Sequence, residues 1–242
     1  MEPRDLAQAA ERSQMRPGDI RERFSGYGVM GLPFASGHIL GLRRFPASSV
    51  GPGYTSVWHR DPAGAWTFYS TVEPLLSCNR YFGKAVEMFQ QAEIGINWTG
   101  PRTFSVRIPA ARFDWDVEVA STPVTRIMNA MGRLIPEAMW QKGPILTAMS
   151  TLASLTLRAG RLRLQGTAPN GQHFIANPRL IWVIPRSRAS LGGADFGTPG
   201  PAPRQATLAD FRIPQRGMFV VGGAFFEPFA AARHSAAATR SG

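Results

Sequence analysis

Cys78 lies in Ser77-Cys78-Asn79-Arg80-Tyr81-Phe82-Gly83, with Lys84 next along the chain. Cations such as Arg80 and Lys84 lower a thiol's pKa and favour the thiolate, the nucleophilic form of cysteine. No neighbouring motif marks this cysteine as a nucleophile, and a small buried packing residue is the plainer role. His59 precedes Arg60-Asp61 in a turn, and His173 follows the turn at Asn170-Gly171. Either histidine can stand at the mouth of a β structure and carry a proton there, or be a hydrogen-bonded turn residue. The four histidines, at 38, 59, 173 and 234, have no metal-ligand spacing. A single cysteine forms neither an intramolecular disulfide nor a multi-cysteine zinc or iron-sulfur site, so neither metal nor cofactor is expected.

Asp114, Asp116 and Glu118 recur at every second residue, and paired carboxylates do acid and base chemistry or bind a cation. Phe113, Trp115, Val117 and Val119 alternate with them, which sends the acids into water with Arg102, Arg107 and Arg112 as partners; a solvated, salt-bridged face follows. Asn170-Gly171 and Gly192-Gly193 have no following Lys-Ser or Lys-Thr, so no phosphate-cradling loop is present.

These residues must be positioned by β elements. Tyr54 to Trp58 turns through Asp61-Pro62-Ala63-Gly64 into Trp66 to Tyr69, and Arg161 to Leu164 turns through Pro169-Asn170-Gly171 into His173 to Ile175. Both read as hairpins. Ile94 to Trp98, Phe104 to Ile108 and Phe113 to Val119 alternate with period two and form a meander. Residues 73–91 are less regular, with a short helix in their second half. Thr122 is the N-cap and Pro123 the first residue of a helix whose Val124, Ile127, Met128, Met131, Leu134 and Ile135 share one apolar face. A second helical piece runs from Pro144 to Arg158 and stops at Gly160. Met128, Met131, Met139 and Met149 concentrate in these two pieces; packing of helix on sheet explains their spacing, and a methionine-lined lid is the alternative. Leu180 to Ile184 is a continuous apolar strand covered on both faces, and residues 191–203 form a Gly- and Pro-rich loop.

The expected fold is mainly β with a helical insertion, a β-rich α+β class: an antiparallel β-barrel or sandwich with helices at about 123–158. The organisation is a polar N-terminal arm over 1–24, a single β-rich domain over 25–229 and a flexible tail over 230–242. At 242 residues, 44% hydrophobic and 18% charged, the chain is long and apolar enough to bury a core. The acidic, proline-containing start and the lack of an uncharged apolar run of membrane-spanning length suggest a cytoplasmic protein. The net charge of +11 comes almost wholly from arginine, since Lys84 and Lys142 are the only lysines. The arginines are scattered, without a run of four basic residues, which makes nucleic acid or an anionic surface a secondary expectation.

Two short motifs carry family resemblances. Gly64-Ala65-Trp66 is similar to the Gly-x-Trp element of lipocalins, which implies a ligand-enclosing barrel with Trp66 on its floor. Gly51-Pro52-Gly53-Tyr54 before a strand, followed by Arg80-Tyr81-Phe82-Gly83-Lys84, resembles the acetoacetate decarboxylase type of barrel. That resemblance implies Lys84 as a Schiff-base lysine activated by desolvation and a neighbouring cation. Ala85 stands where the family has its second lysine, and Thr55-Ser56 supply no carboxylate.

The expected function is binding of a small, largely apolar ligand, its anionic end held by arginine, in a cavity lined by Trp98, Phe104, Trp115 and Trp182. An enzyme on the same cavity is the alternative, a decarboxylase, hydratase or isomerase drawing on His59, His173, Lys84 or Cys78. Binding of nucleic acid or an anionic surface through the arginines is the third.

Overall fold

Alternation of period two becomes strand wherever one face finds a core. In Phe113–Ala120, the residues Phe113, Trp115, Val117 and Val119 are buried while Asp114 and Asp116 are exposed. Arg107 on the neighbouring strand bridges both acids, at 2.9 and 2.7 Å, and Glu118 pairs with Arg186 at 3.2 Å. The acidic row is thus the salt-bridged outer face expected of it; of the other two expected partners, Arg102 pairs with Glu2 instead.

The computed structural model describes residues 2–15, 18 and 20–235. Its elements are α1 (Pro3–Glu11), β1 (Glu22–Pro33), β2 (Ile39–Ser48), β3 (Tyr54–Arg60), β4 (Trp66–Ser70), α2 (Asn79–Phe82), β5 (Met88–Gln91), β6 (Gly95–Trp98), β7 (Thr103–Ile108), β8 (Phe113–Ala120), α3 (Pro123–Leu134), α4 (Gly143–Leu157), β9 (Gln165–Thr167), β10 (His173–Leu191), β11 (Ala194–Asp195), β12 (Thr207–Leu208), β13 (Phe211–Arg212) and β14 (Met218–Phe226). The main sheet runs β5-β4-β3-β2-β1-β14-β10-β8-β7-β6, with β9 and β11 also on β10, and β12-β13 form a separate ribbon. Its two edge strands, β5 and β6, are separated by only residues 92–94 in the chain. So short a link holds the edges near each other and curls the sheet into a half-barrel.

The fold is β-rich α+β, and the first hairpin and the meander stand where expected, with Trp58 opposite Phe68 and Val106 opposite Trp115. Three details differ. The sheet is mixed, because β5 pairs parallel to β4. Residues 88–91, expected as helix, form that strand, the helix α2 coming earlier. The second hairpin starts later, at Gln165, and pairs Thr167 with His173. Of the expected tail, residues 236–242 lie outside the described residues, and His234 before them is buried and hydrogen-bonded to Glu227 at 3.0 Å. Ala7 and Ala10 of α1, within the expected arm, are buried against the sheet.

One apolar cluster draws side chains from strands all the way round from β4 to β6, among them Val57, Leu42, Val29, Phe219, Trp182, Trp115 and Phe104, and fills the hollow of the curl. A second, aromatic cluster lies on the other face of β1, β2, β3, β10 and β14, covered by α2 and β13. A third lies beneath α3 and α4. Thr122 and Thr125 form the capping box that starts α3.

The expected apolar face of α3 is present, but most of it turns outward instead of packing on the sheet. Its buried residues are Thr125, Met128, Asn129 and Gly132, whereas Ile127 and Leu134 are 63% and 82% exposed. Polar docking explains this. The Asn129 amide donates to the Ile181 carbonyl at 3.0 Å and accepts from its N–H at 2.7 Å. A Cβ on Gly132 would lie 2.1 Å from the Arg179 carbonyl oxygen, so glycine lets the helix backbone settle onto β10. Among the described residues no helix is long and apolar enough to cross a membrane.

Candidate functional site

The site begins with missing side chains. Across β1, β14 and β10, Phe24 faces Ala224, which faces Ala176, and one step along Gly26 faces Gly222. Even-numbered β14 residues point away from the filled hollow, as strand alternation requires. At Gly26, Gly222, Ala176 and Ala224 that face of the sheet therefore carries almost nothing. A Cβ on Gly222 would come within 1.9 Å of the Asn177 carbonyl oxygen, so the chain cannot fill the space from this position. The result is a cavity of about 80 Å³. A single water takes roughly 10–15 Å³ of such space, so the cavity corresponds to roughly six waters or a ligand of about ten non-hydrogen atoms.

Aromatic rings wall it. Phe45 of β2, Tyr54 and Trp58 of β3, Tyr81 and Phe82 of α2, and Phe226 of β14 all line the cavity. Tyr81 stacks on Phe226 at 3.6 Å and 16°, and Phe24 sets its edge against Tyr54, Tyr81 and Phe226 at 87° each. Such offset and edge contacts hold rings in place beyond simple burial. At the rim, the Glu22 carboxylate accepts from Arg80 at 2.6 Å, from the Tyr81 hydroxyl at 2.7 Å and from Gln172 at 3.1 Å. Burial acts to raise the Glu22 pKa, but these three donors hold it below the usual carboxylate range.

One cation stands among the rings. Arg43 lies over the Trp58 ring at 4.5 Å and the Phe211 ring at 5.7 Å. Its guanidinium donates to the backbone carbonyls of Val29, Leu42 and Met30. These bonds use three of its five N–H groups. No carboxylate pairs with it among the described residues. Burial lowers its pKa, although a guanidinium stays charged through any ordinary pH. An isolated charge in apolar surroundings is costly unless something compensates it.

Two other cavity residues have polar atoms left over. Trp58 and Asn177, 1% and 3% exposed, have an indole N–H and a side-chain amide oxygen with no hydrogen-bond partner among the described residues. Buried polar atoms in proteins are nearly always satisfied, so such atoms in a cavity wall call for a partner. Cys78 completes the lining, its Sγ 3.1 Å from the Tyr54 hydroxyl. Burial pushes the Cys78 thiol up to about 11 and the Tyr54 phenol well above its usual range, so both are neutral at pH 7.

Of the candidate site residues named from sequence, Cys78 lines this cavity and the others do not, although Tyr54, Tyr81 and Phe82 of the quoted motifs also stand in its wall. Lys84 is exposed in the short turn Gly83–Ala85, and His173 is exposed at the start of β10. His59 is buried elsewhere, 3.0 Å from His38 and stacked with it against Phe196; burial first, and His38 second, push its pKa down to about 4. Phe104, Trp115 and Trp182 are buried in the hollow of the curl with Trp98 packed beside them, and none of the four lines the cavity. Trp66 is buried at the start of β4. Arg43 and the small-residue floor are what sequence reasoning missed. The available signals were Gly26-Tyr27-Gly28 and Gly222-Gly223-Ala224, glycines inside strands and away from turns, where backbone or ligand comes close. No set of three or more His, Cys, Asp or Glu side chains suited to a metal occurs among the described residues.

No family model matches the chain, and no curated protein matches it. Among solved structures it is similar to an acetoacetate decarboxylase from Legionella pneumophila subsp. pneumophila str. Philadelphia 1, with 10% identity, a TM-score of 0.38, and coverage of 90% of this chain and 92% of that one.

Proposed function

We propose that this protein binds a small monocarboxylic acid of about ten non-hydrogen atoms, with a flat, largely apolar body that carries one hydroxyl. The carboxylate meets the Arg43 guanidinium and accepts from the Trp58 N–H, the body lies among Trp58, Tyr81 and Phe226, and a hydroxyl on the body donates to the Asn177 amide oxygen. What carries this reading is the combination of a cation without a carboxylate partner and two unpartnered polar atoms in the wall of an otherwise aromatic cavity. Arginine suits the task because its planar fork matches a carboxylate and its faces accept aromatic rings. Binding is favoured over catalysis because Lys84 and His173 are exposed, His59 lies in a separate stack and Cys78 is a neutral thiol.

The test is a thermal-shift series of aryl and hydroxyaryl carboxylic acids, each beside its own primary amide. A bound acid raises the melting temperature in proportion to the logarithm of its concentration above Kd, and its amide does so far less. Equal shifts for acid and amide, or none for any acid, would refute the proposal.

A further inference from the structure

We infer that α3 docks on an anionic membrane surface, with Ile127, Met131 and Leu134 in the acyl boundary and Arg126 and Arg133 among the headgroups. The helix is amphipathic in the unusual sense. It turns Thr125, Asn129 and Gly132 inward and presents Pro123, Ile127, Ala130, Met131 and Leu134 outward. These outward positions are spaced by three and four residues, which makes one continuous stripe along a helix of roughly 18 Å. Ile127 and Leu134, at 63% and 82% exposed, stand proud of the surface. Leu155 of α4, 75% exposed, adds apolar area to the same insertion.

Charge identifies what covers the stripe. Residues 119–162 contain Arg126, Arg133, Lys142, Arg158 and Arg161, and Glu137 is the only acid among them. All five cations are exposed, and none pairs with a carboxylate among the described residues. Elsewhere the pattern is mixed: Arg44, Arg80, Arg102 and Arg107 are each held by an acid, while Arg12, Arg112 and Arg188 are exposed with no carboxylate partner among the described residues. By sequence the segment carries +4 over 44 residues against +7 over the other 198, so positive charge is densest in the insertion that holds the exposed apolar helix. A second copy of the chain would bring like charges together across a two-fold contact. A projecting ridge also asks for no matching groove when its partner is a lipid surface, which takes an apolar helical stripe flat and attracts the arginines beside it. The inner side of this helix lies near the ligand cavity: Met128 shares a small neighbouring cavity with Met30 and Pro178, and those two residues also line the main one. The docking itself does not depend on what the main cavity holds.

The test is co-sedimentation of the full chain with phosphatidylcholine vesicles, with and without about one-third phosphatidylglycerol, at rising salt. Binding to the anionic vesicles that weakens with salt, and little binding to neutral ones, is expected. Ile127→Ser with Leu134→Ser should lower partitioning at least about tenfold, since two large apolar side chains leave the acyl boundary. Arg126→Glu should lower it at least about fivefold. Leu75→Ser, at an exposed apolar residue outside the insertion, should leave it unchanged. All these positions are exposed, so unchanged thermal melting should accompany each variant. Absence of binding to anionic vesicles, equal binding to neutral ones, or indifference to the α3 variants would overturn the proposal. So would a concentration-dependent dimer, or a complex with an acidic protein, abolished by the serine pair in a chain that ignores vesicles.

Discussion

Ala224→Leu is the sharpest perturbation of the cavity. Ala224 sits between Phe24 and Ala176 on the cavity face of β14, and all three line the space. Leucine adds three carbons in a direction where the structure offers about 80 Å³. At about 0.8 kcal/mol for each buried carbon, complete filling gains a little over 2 kcal/mol. Rotamer strain in an imperfectly shaped space takes back up to about 1–2 kcal/mol. The expected change in unfolding free energy therefore runs from about zero to +2 kcal/mol, the upper end raising the melting temperature by about 5 °C for a chain of this size. Urea titration with an unchanged slope measures it. The same variant should lose all acid-dependent thermal shift, because leucine occupies the ligand's space. A loss of more than about 2 kcal/mol, the usual mark of overpacking a full core, would refute the cavity. Undiminished ligand binding would show that the site lies elsewhere.

Three further outcomes are expected. Asn129→Leu removes two hydrogen bonds to Ile181 and strands its buried backbone N–H and C=O; a loss of about 3–5 kcal/mol and fast amide exchange in α3 should follow. His59 is protonated only near pH 4 in the folded protein, against 6.5 for an ordinary histidine. The unfolded chain therefore binds the extra proton between those values, and stability should fall by about 3 kcal/mol as pH drops from 6.5 to 4. His59→Phe should make that slope shallower, whereas an unchanged slope would deny the depressed value. Raising Cys78 from 9.0 to about 11 leaves about a hundredfold less thiolate. Iodoacetamide at pH 8 should accordingly label the native protein at least about a hundredfold more slowly than the urea-unfolded chain.

Local patterning made much of the fold legible. Tyr54 to Trp58, Trp66 to Tyr69 and the meander ending at Val119 alternate cleanly and pair as that alternation demands. Thr122-Pro123 also starts a helix where its capping chemistry says it should. What escaped depends on contacts distant in sequence. Glu87 to Gln91 is built of good helix formers, yet pairing of Met88 opposite Thr67 draws it into an edge strand. The apolar period of α3 was visible, but not that Asn129 and Gly132 would dock it by the other side. Arg43 and Arg44 are adjacent on β2 and look alike in sequence. Strand alternation sends Arg44 to Glu11 of α1 at 2.6 Å and Arg43 into the cavity. The cavity is made of absences, at Gly26, Gly222 and Ala224, and an absence has no periodicity to find.

The pairing of Arg43 with a ligand carboxylate is tested most directly by a calorimetric cycle. An aryl carboxylic acid and its primary amide are titrated into the native protein and into Arg43→Met, with circular dichroism confirming that the variant keeps the native fold. A buried charge-assisted pair is worth about 2–4 kcal/mol, so Arg43→Met should weaken the acid by about thirty- to a thousandfold and the amide by less than about threefold. Equal weakening of acid and amide would contradict the pairing and leave Arg43 as a cap on the Val29, Met30 and Leu42 carbonyls.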